Sequence, residues 1–353
     1  MRVRPVVIKR LLAASTAVAL LGGAAACGTS SAASESSSSG KPVPLVVYSA
    51  QGYDKAVTQA FQKATGIPVK LVDDSTGPLL ARVQAEQANP QWGALWVDGD
   101  EAFAALDKQG MLVKGFAPKA ALNSAGKAVQ PADKSYVPTG LTATAALVYD
   151  STKTPKPPTG WQDLLSAAWK GQTGMNDPSV SGPTYPFVAG MLRQLGGDSQ
   201  GQAYFSRLKA NGLHVYQTNG DTLHALQTGA IRLALIQSSA GLAAGLKDPH
   251  IKIAYLPKVT SLPSVIGIDA KASAQVRSEA ERFASYVLSA QGQHVMLTGD
   301  PGGDSLYWPV VQGVAPNRAL PELSAVPTQA IDPYVWGPKE GRINSWFTST
   351  IVR

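Results

Sequence analysis

The run Leu45-Val-Val-Tyr48 leads directly into the polar, glycine-containing loop Ser49-Ala-Gln-Gly-Tyr53. A short apolar run that ends in such a loop is typical of a buried strand whose carboxyl end contributes to a ligand site. Apolar residues then recur at helical spacing over residues 54–65, and Gly66 ends that segment. The following segments are a strand at 69–72, a helix at about 79–88 and a strand at 94–97. The order β-α-β-α-β predicts a parallel sheet unit.

A second α/β unit is predicted in the middle of the chain. Its segments are a strand at 147–149, a helix at 161–169, a strand that ends at 175–178, helices at 184–195 and 220–228, a strand at 232–236 and a short helix at 241–246. Proline- and glycine-rich breaks at 138–142 and 262–267 mark crossings between the two units. The chain is therefore expected to fold into two lobes.

The domain division follows from these crossings. The first lobe is expected to comprise residues 41–140 and 265–353, and the second lobe residues 141–264. The segment 341–347 has the pattern of a final amphipathic helix, and we expect it to pack on the first lobe. About 313 residues are large for one core, which also favours two lobes.

The first 40 residues have the order of an export signal and a tether. Four basic residues precede the apolar run 11–26, which is short for a membrane span but suits a signal peptide. Cys27, the only cysteine, follows a run that resembles a bacterial lipobox, so residues 1–26 are predicted to be a lipoprotein signal peptide and Cys27 the lipidation site. The Ser-rich residues 27–40 are predicted to be a flexible tether to the outer face of the cell membrane. A secreted protein with an incidental cysteine is the alternative.

The charge balance excludes one class of partner. The chain carries +7 overall, from 31 Lys and Arg against 24 Asp and Glu, but four of the basic residues and none of the acidic ones lie in 1–26. Without that segment the balance is 27 minus 24, or +3. The basic character is thus mainly a targeting property, and nucleic-acid binding is not expected.

Several motifs together resemble one family. The motifs are Val46-Val-Tyr-Ser-Ala50, the segment 61–69 (Phe-Gln-Lys-Ala-Thr-Gly-Ile-Pro-Val), the Gly turn and Asn-Pro helix end of 76–90, the Asp-Pro, Ser-Gly and Tyr pattern of 176–185, and Leu288-Ser-Ala-Gln-Gly-Gln293. They resemble the bacterial ABC-transporter solute-binding proteins of the ferric-iron, 2-aminoethylphosphonate and sugar-phosphate group. The likeness runs from about Val43 to Arg353.

That resemblance implies a two-lobed type II periplasmic-binding-protein fold, with a mixed, mostly parallel sheet in each lobe and a hinge of two crossing strands. It also implies a monomer without catalytic activity or cofactor. Such a protein closes on a small solute and delivers it to ABC permease and ATPase subunits.

The loops expected to face the cleft are rich in hydroxyls and glycines, and several lead into helices. Exposed N–H groups at helix starts, with Ser or Thr beside them, bind phosphate or phosphonate oxygens. The alternative is that these hydroxyls merely cap their helices. The residues expected to contact the ligand are Ser49, Gln51, Tyr53, Ser75, Thr76, Gly77, Asp98, Asp100, Thr142, Ser179, Ser181, Gly182, Thr184, Tyr185, Gln237 and Ser238.

Asp98 and Asp100 indicate a different chemistry at one end of the cleft. These carboxylates could pair with an ammonium group beside an aromatic wall of Trp96 or Tyr53. In the alternative, Asp100 caps the following helix and Asp98 is solvated. Anion-binding loops with an acidic corner suit a zwitterion such as an aminophosphonate.

Ferric iron is the second candidate ligand, because the resembled group contains iron carriers. Those proteins coordinate iron through an adjacent tyrosine pair, but this chain has Gln237-Ser-Ser-Ala240 at that place. Tyr53 and Tyr185 could supply phenolates, yet two such ligands make a poor ferric site. The four histidines show no metal-ligand spacing, so no metal site is predicted.

Two alternative functional classes are a surface hydrolase and a structural surface lipoprotein. Gly303-Asp-Ser-Leu306 has the letters of a GDSL hydrolase block, but no histidine follows Ser305, and we interpret the match as chance. A structural surface lipoprotein need not show a ligand-dependent rise in melting temperature, whereas a binding protein that closes on its ligand must. The sequence therefore favours a solute-binding protein.

Overall fold

A computed structural model describes residues 43–353. The predicted signal peptide 1–26, the lipidation site Cys27 and the tether 27–40 lie outside the described residues. Within residues 43–353, no helix combines the length and apolar character that crossing a membrane requires.

Among the described residues, twelve strands form two sheets. They are β1 (Leu45–Ser49), β2 (Val69–Asp73), β3 (Ala94–Asp98), β4 (Tyr136–Ala143), β5 (Ala146–Asp150), β6 (Thr173–Asn176), β7 (His214–Tyr216), β8 (Leu233–Ile236), β9 (Ile251–Ala254), β10 (Val259–Ile268), β11 (Trp308–Pro309) and β12 (Thr328–Gln329). The first sheet has the order β11-β4-β10-β3-β1-β2, with β12 paired to β10, and the second has the order β7-β6-β8-β5-β9. The two-sheet α/β architecture confirms the predicted fold class.

Helices of the described chain flank both sheets. They are α1 (Asp54–Thr65), α2 (Thr76–Ala85), α3 (Asp100–Lys108), α4 (Ser124–Val129), α5 (Thr184–Gln194), α6 (Asp198–Ala210), α7 (Asn219–Thr228), α8 (Ser238–Lys247), α9 (Ala274–Val287), α10 (Ala290–Gly299), α11 (Pro333–Trp336) and α12 (Glu340–Phe347). The predicted helix at 161–169 is instead two 3₁₀ turns, Trp161–Leu165 and Ala167–Trp169. Ser166 between them has an extended backbone, which prevents one continuous helix.

The first lobe contains the predicted parallel unit. Strand β1 pairs in parallel with both β2 and β3, so the carboxyl ends of these three strands lie at one edge of the sheet. Helix α1 ends at Gly66, whose φ of 72° is the left-handed conformation that glycine adopts most readily. Buried Phe61 of this helix packs edge-on against Phe283 of α9, with ring centroids 5.3 Å apart. The core therefore fixes where loop 50–53 emerges.

The sheets are mixed because the crossing strands run against the parallel units. Strand β10 is antiparallel to both β3 and β4, and β5 is antiparallel to both β8 and β9. In the second sheet, β6 is parallel to β7 and β8, which is the predicted α/β arrangement. Antiparallel pairs are as numerous as parallel ones among the described strands.

The chain changes sheet between β4 and β5 and returns between β9 and β10. Each connection contains one non-glycine residue in the left-handed region, Ala145 with φ of 52° and Lys258 with φ of 59°. The predicted lobe boundaries, at 140 and 264, lie inside β4 and β10, a few residues from these connections. Both crossings thus have a sharply turned backbone where the two sheets meet.

The final helix lies on the second lobe, so the prediction that it packs on the first lobe is wrong. Phe347 of α12 packs edge-on against Phe205 of α6, with ring centroids 5.5 Å apart. Arg342 forms an ion pair with Asp198 at the start of α6, with Nη2 and Oδ2 2.5 Å apart. The helix is amphipathic as expected, but α6 presents the complementary aromatic face.

Candidate functional site

A cavity of about 590 Å³ opens at the carboxyl ends of β1, β2 and β3 and is faced by helix starts of the second lobe. Its lining residues are Ala50, Gln51, Gly52, Asp54, Lys55, Asp73, Asp74, Ser75, Thr76, Asp98, Ser181, Gly182, Pro183, Thr218, Asn219, Gly220, Gln237 and Asp304. In an open α/β sheet this edge is where ligands bind. We refer to this cavity as the cleft.

Asp98, at the end of β3, is a buried carboxylate of the first-lobe wall, 6% exposed. Its Oδ1 accepts hydrogen bonds from Gln51 Nε2, at 3.0 Å, and from the Ser264 hydroxyl. Its Oδ2 accepts from Gln237 Nε2 of the second lobe, at 3.3 Å. Burial raises the pKa of the Asp98 carboxyl, and these three hydrogen bonds oppose the rise because they stabilise the ionised form.

Asp304 provides a second carboxylate on the same wall. Its Oδ2 accepts from the Gly52 N–H at 2.7 Å, which ties the segment after α10 to the loop after β1. Burial, followed by the nearby charge of Asp98, raises the pKa of Asp304 to about 7. None of the ion pairs in the described chain involves either carboxylate.

Asp54, the first residue of α1, is the most buried acid in the lining, with 1% of its surface exposed. Its Oδ2 has no hydrogen-bond partner among the described residues. Burial is the main reason that the pKa of Asp54 rises to about 6; the nearby Ser49 hydroxyl and the backbone N–H groups of Gln51 and Lys55 oppose the rise, and the charge of Asp73 adds to it. A buried carboxylate oxygen without a partner is costly, so this group favours a cationic neighbour.

The opposite wall consists of helix starts from the second lobe. The lead-in to α5 contributes Ser181 and Gly182, and the start of α7 contributes Thr218 and Asn219. Gln237 precedes α8, and its Oε1 accepts from Asn219 Nδ2 at 3.3 Å. Because three helices start here, this wall carries partial positive charge and exposed N–H donors.

Three hydrogen bonds join the two walls. The Gly77 N–H donates to the Val180 carbonyl at 3.0 Å, in addition to the contact between Gln237 and Asp98. The Ser239 hydroxyl lies 3.5 Å from Asp304 Oδ1 and makes the third, longer contact. No larger residue fits at position 77, because a Cβ on Gly77 would lie 1.9 Å from the Ser179 carbonyl oxygen. The lobes are thus in direct contact around the cleft.

The structure brings seven of the sixteen predicted ligand residues into the cleft lining. These seven are Gln51, Ser75, Thr76, Asp98, Ser181, Gly182 and Gln237. The others lie behind the lining or beside it, and they are Ser49, Tyr53, Gly77, Asp100, Thr142, Ser179, Thr184, Tyr185 and Ser238. Most of these nine are buried because they support the loops from inside: the Ser49 hydroxyl accepts from the Gln51 N–H, and the Ser238 hydroxyl from the Ala143 N–H.

The hydroxyls of Tyr53 and Tyr185 are engaged within the protein. Tyr53 donates to Gln51 Oε1 at 2.8 Å, and Tyr185 donates to the Trp336 carbonyl at 2.5 Å. Burial raises the pKa of both phenols, which opposes formation of phenolates. Among residues 43–353, no three His, Cys, Asp or Glu side chains are grouped so as to hold a metal ion.

The capping alternative does not account for the serines. Ser75 precedes α2 but makes no side-chain cap hydrogen bond, and Asp100 lies inside the first turn of α3 rather than at its cap. The Ser179 hydroxyl donates to Asp177 Oδ1 at 2.7 Å, away from the cleft.

Ser305, the serine of the Gly303-Asp-Ser-Leu306 match to a hydrolase block, is buried, and its hydroxyl donates to the Met296 carbonyl at 2.5 Å.

Sequence reasoning missed most of the acidic lining. The carboxylates that it did not single out as ligands are Asp54, Asp73, Asp74 and Asp304. The rule applied to Asp98 also covers Asp73 and Asp74, because they follow β2 at the same sheet edge. No local sequence pattern indicates Asp304 as a cleft residue, because it reaches the cleft through a contact with Gly52, 252 positions earlier in the chain.

The sequence and fold are similar to those of known binding proteins. A periplasmic protein of Salmonella typhimurium named for 2-aminoethylphosphonate binding is 23% identical over 240 residues, covering 66% of this chain and 68% of the relative. The Fe(3+)-binding periplasmic protein of Serratia marcescens is 23% identical over 301 residues, covering 82% and 85%. The fold matches the periplasmic binding protein AfuA of Actinobacillus pleuropneumoniae, solved with fructose-6-phosphate, with a TM-score of 0.77 and 15% identity over 88% of this chain and 98% of that one. Residues 56–328 match the model of the bacterial extracellular solute-binding proteins, and the chain belongs to this family.

Proposed function

We propose that this protein is the extracytoplasmic solute-binding component of an ABC importer, and that it captures a small amine-bearing zwitterion of the aminophosphonate type. Membership of the solute-binding family and the two-lobed fold support the transport role. The relatives are named as binding proteins rather than enzymes, which agrees with a role without catalysis. The ligand class rests on the cleft itself.

The observation that carries the proposal is the opposite electrostatic character of the two walls. The first-lobe wall presents Asp98 and Asp304, neither of which has an ion-pair partner among the described residues. The second-lobe wall presents Ser181, in the segment that leads into α5, and Asn219, the first residue of α7. An ammonium group fits the first wall and a phosphonate or carboxylate group fits the second.

Neither a plain anion nor ferric iron fits the cleft as well. Five carboxylates line the cavity, with a single ammonium group, that of Lys55. The carboxylates would repel an anion that carries no positive charge of its own. The tyrosines that could hold ferric iron have their hydroxyls bonded to Gln51 and to the Trp336 carbonyl. A zwitterion uses both walls at once.

Closure of the lobes would couple binding to transport. Asp98 accepts hydrogen bonds from Gln51 of its own lobe and from Gln237 of the other lobe. A solute that binds this carboxylate therefore favours the form in which the two lobes are in contact. A permease would recognise the closed form, with its ATPase subunits driving import. A lipid on Cys27 and the tether 27–40 would hold a monomeric protein at the outer face of the membrane.

Calorimetric titration of residues 41–353 tests the solute class. The panel is 2-aminoethylphosphonate, ethylphosphonate, fructose-6-phosphate and ferric citrate, so that the first pair differs only in the amino group. We expect binding of 2-aminoethylphosphonate at least tenfold tighter than that of ethylphosphonate, since a charge-assisted hydrogen bond contributes about 1.5–3 kcal/mol. Tighter binding of ethylphosphonate or of ferric citrate would overturn the proposed solute class.

A further inference from the structure

The cleft contains a second acidic pair, apart from Asp98 and Asp304. Asp54 begins α1, and Asp73 ends β2, the strand that pairs with β1 residue by residue up to Ser49 and Asp73. Both carboxylates line the same cavity, and the charge of Asp73 contributes to the raised pKa of Asp54. Asp54 is fully enclosed, while Asp73 is exposed at the rim of the cavity.

Asp54 of the second pair accepts fewer hydrogen bonds than Asp98 of the first pair. Asp98 accepts hydrogen bonds from Gln51, Ser264 and Gln237, so its charge is already partly compensated. Asp54 Oδ2 accepts none from the described residues, although the side chain is 1% exposed and lines the cleft. Removing water from an unpaired carboxylate oxygen is unfavourable, so such a group persists where a ligand compensates it.

The charge of the lining supports a second cationic partner. Five carboxylates line the cavity with one ammonium group, that of exposed Lys55, and no ion pair of the described chain involves any of the five. A zwitterion brings one positive and one negative group, so it leaves this excess of negative charge unchanged. A ligand with two positive groups reduces it.

We propose that the solute carries two cationic groups, one held by Asp98 and Asp304 and the other by Asp54 with Asp73 at the rim. This inference rests on the proposed function and refines its solute from a zwitterion with one amine to a zwitterion with two amines, whose acidic group still faces the helix starts of the second wall. The cavity of about 590 Å³ has room for an organic molecule of this kind. Asp54 is then a specificity-determining residue, because it is the enclosed acceptor for the second ammonium group.

Calorimetry with a matched amine series at pH 8 tests the inference. The probes are 1,4-diaminobutane and 1-aminobutane, which lacks the second charge. We expect 1,4-diaminobutane to bind at least tenfold more tightly than 1-aminobutane, a difference that corresponds to one charge-assisted contact. Comparing the affinities of diamines with three, four and five carbons shows which distance between the two ammonium groups fits the site.

Variants assign the second group to its residue. Asp54→Asn removes the charge without changing the shape, and it should reduce the preference for 1,4-diaminobutane over 1-aminobutane to less than about threefold, below the range of a charge-assisted contact. Asp73→Asn at the exposed rim should have a smaller effect in the same direction. Glu281→Gln changes an acid of α9 that lies outside the cleft lining and should leave the preference intact.

The outcomes separate the inference from the proposed function. Binding of 2-aminoethylphosphonate with no preference for the diamine would overturn the inference and leave the proposed function standing. If no amine binds and a plain anion does, both the inference and the proposed function are overturned. A preference that Asp54→Asn does not change would also overturn the assignment to Asp54, and calcium competing with the diamine at equal concentration would indicate a metal site instead.

Discussion

Gln237 Nε2 of the second lobe donates to Asp98 Oδ2 of the first lobe across 3.3 Å. The same amide group lies 3.3 Å from the Thr142 hydroxyl, and its carbonyl oxygen accepts from Asn219. Asn219 of its own lobe therefore holds the carbonyl end of the Gln237 amide, and the nitrogen end meets Asp98 and Thr142 of β3 and β4 in the first sheet. The set of donors around Asp98 is complete only when the lobes meet, so this carboxylate links the ligand site to closure.

Removing the charge of Asp98 should separate binding from folding. We expect Asp98→Asn to weaken binding of an amine-bearing solute about 10- to 100-fold, the effect of losing a charge-assisted hydrogen bond. Because burial raises the pKa of this carboxyl, the variant should unfold at the same or a higher temperature than the parent. Calorimetry and thermal unfolding measure the two effects, with Glu281→Gln as the control. A variant that loses binding and stability together would indicate a structural role only.

A methyl group at Gly77 should hold the lobes apart. Its Cβ would lie 1.9 Å from the Ser179 carbonyl oxygen of the second lobe, a clash that backbone atoms cannot relieve. We expect Gly77→Ala to fold normally but to bind solute at least tenfold more weakly, because only the open form is free of strain. Small-angle scattering should show a larger radius of gyration that the solute does not reduce. Gly341→Ala is the matched control, since a Cβ there meets nothing within 4 Å; equal affinity of both variants would contradict the role of the Gly77 contact.

The order of strands and helices could be predicted from sequence because each element has its own local pattern. Helix α1 is predicted at residues 54–65 and observed at Asp54–Thr65, since the apolar spacing and Gly66 define both ends. The second wall was partly predictable, as polar residues precede helices there. The acidic wall was not, because Asp304 meets Gly52 through the return of a distant segment. Tyr53 was misplaced for the opposite reason: it follows the loop in sequence, but its ring turns inward against Trp96.

The enclosed acids should make the ligand-free protein less stable as the pH rises. The pKa of Asp54 rises to about 6 in the fold, while carboxyls in an unfolded chain titrate near 4, so between these values the folded state binds more protons. Stability from this group is complete below pH about 4 and is lost as the pH rises through about 6, by roughly 3 kcal/mol in total. Asp304, with a pKa of about 7, extends the loss to higher pH.

Thermal unfolding at pH 5 and pH 8 measures this dependence. Asp54→Asn should be stabilised at pH 8 relative to the parent and should show a smaller loss between the two pH values. The difference between variant and parent cancels the titration of carboxyls that do not interact with Asp54. An unchanged difference at the two pH values would show that Asp54 does not titrate as its burial implies.

The left-handed residue Lys258 should be a source of strain in the return crossing. Its φ is 59°, a conformation that costs a non-glycine residue about 1 kcal/mol, and its side chain is exposed, so glycine removes no packing. We expect Lys258→Gly to raise the free energy of unfolding by up to about 1 kcal/mol. Lys252→Gly, at an exposed position of β9, is the control and should lower it by a similar amount, because glycine weakens a strand. Urea unfolding compares the two, and destabilisation by Lys258→Gly would contradict the strain.

The C-terminal helix should contribute to the stability of the second lobe, because its aromatic face packs on α6. Phe347 is fully buried, and its ring lies edge-on to Phe205, which also contacts Phe187 and Tyr204. We expect Phe347→Ala to cost about 3–5 kcal/mol, the usual loss for a buried phenylalanine. Val352→Ala, at a side chain that is 39% exposed, should cost much less. Combining Phe347→Ala with Phe205→Ala tests the contact directly: a coupling energy of about 0.5–1.5 kcal/mol is expected for an aromatic pair, whereas strict additivity would show that the helix does not pack on α6.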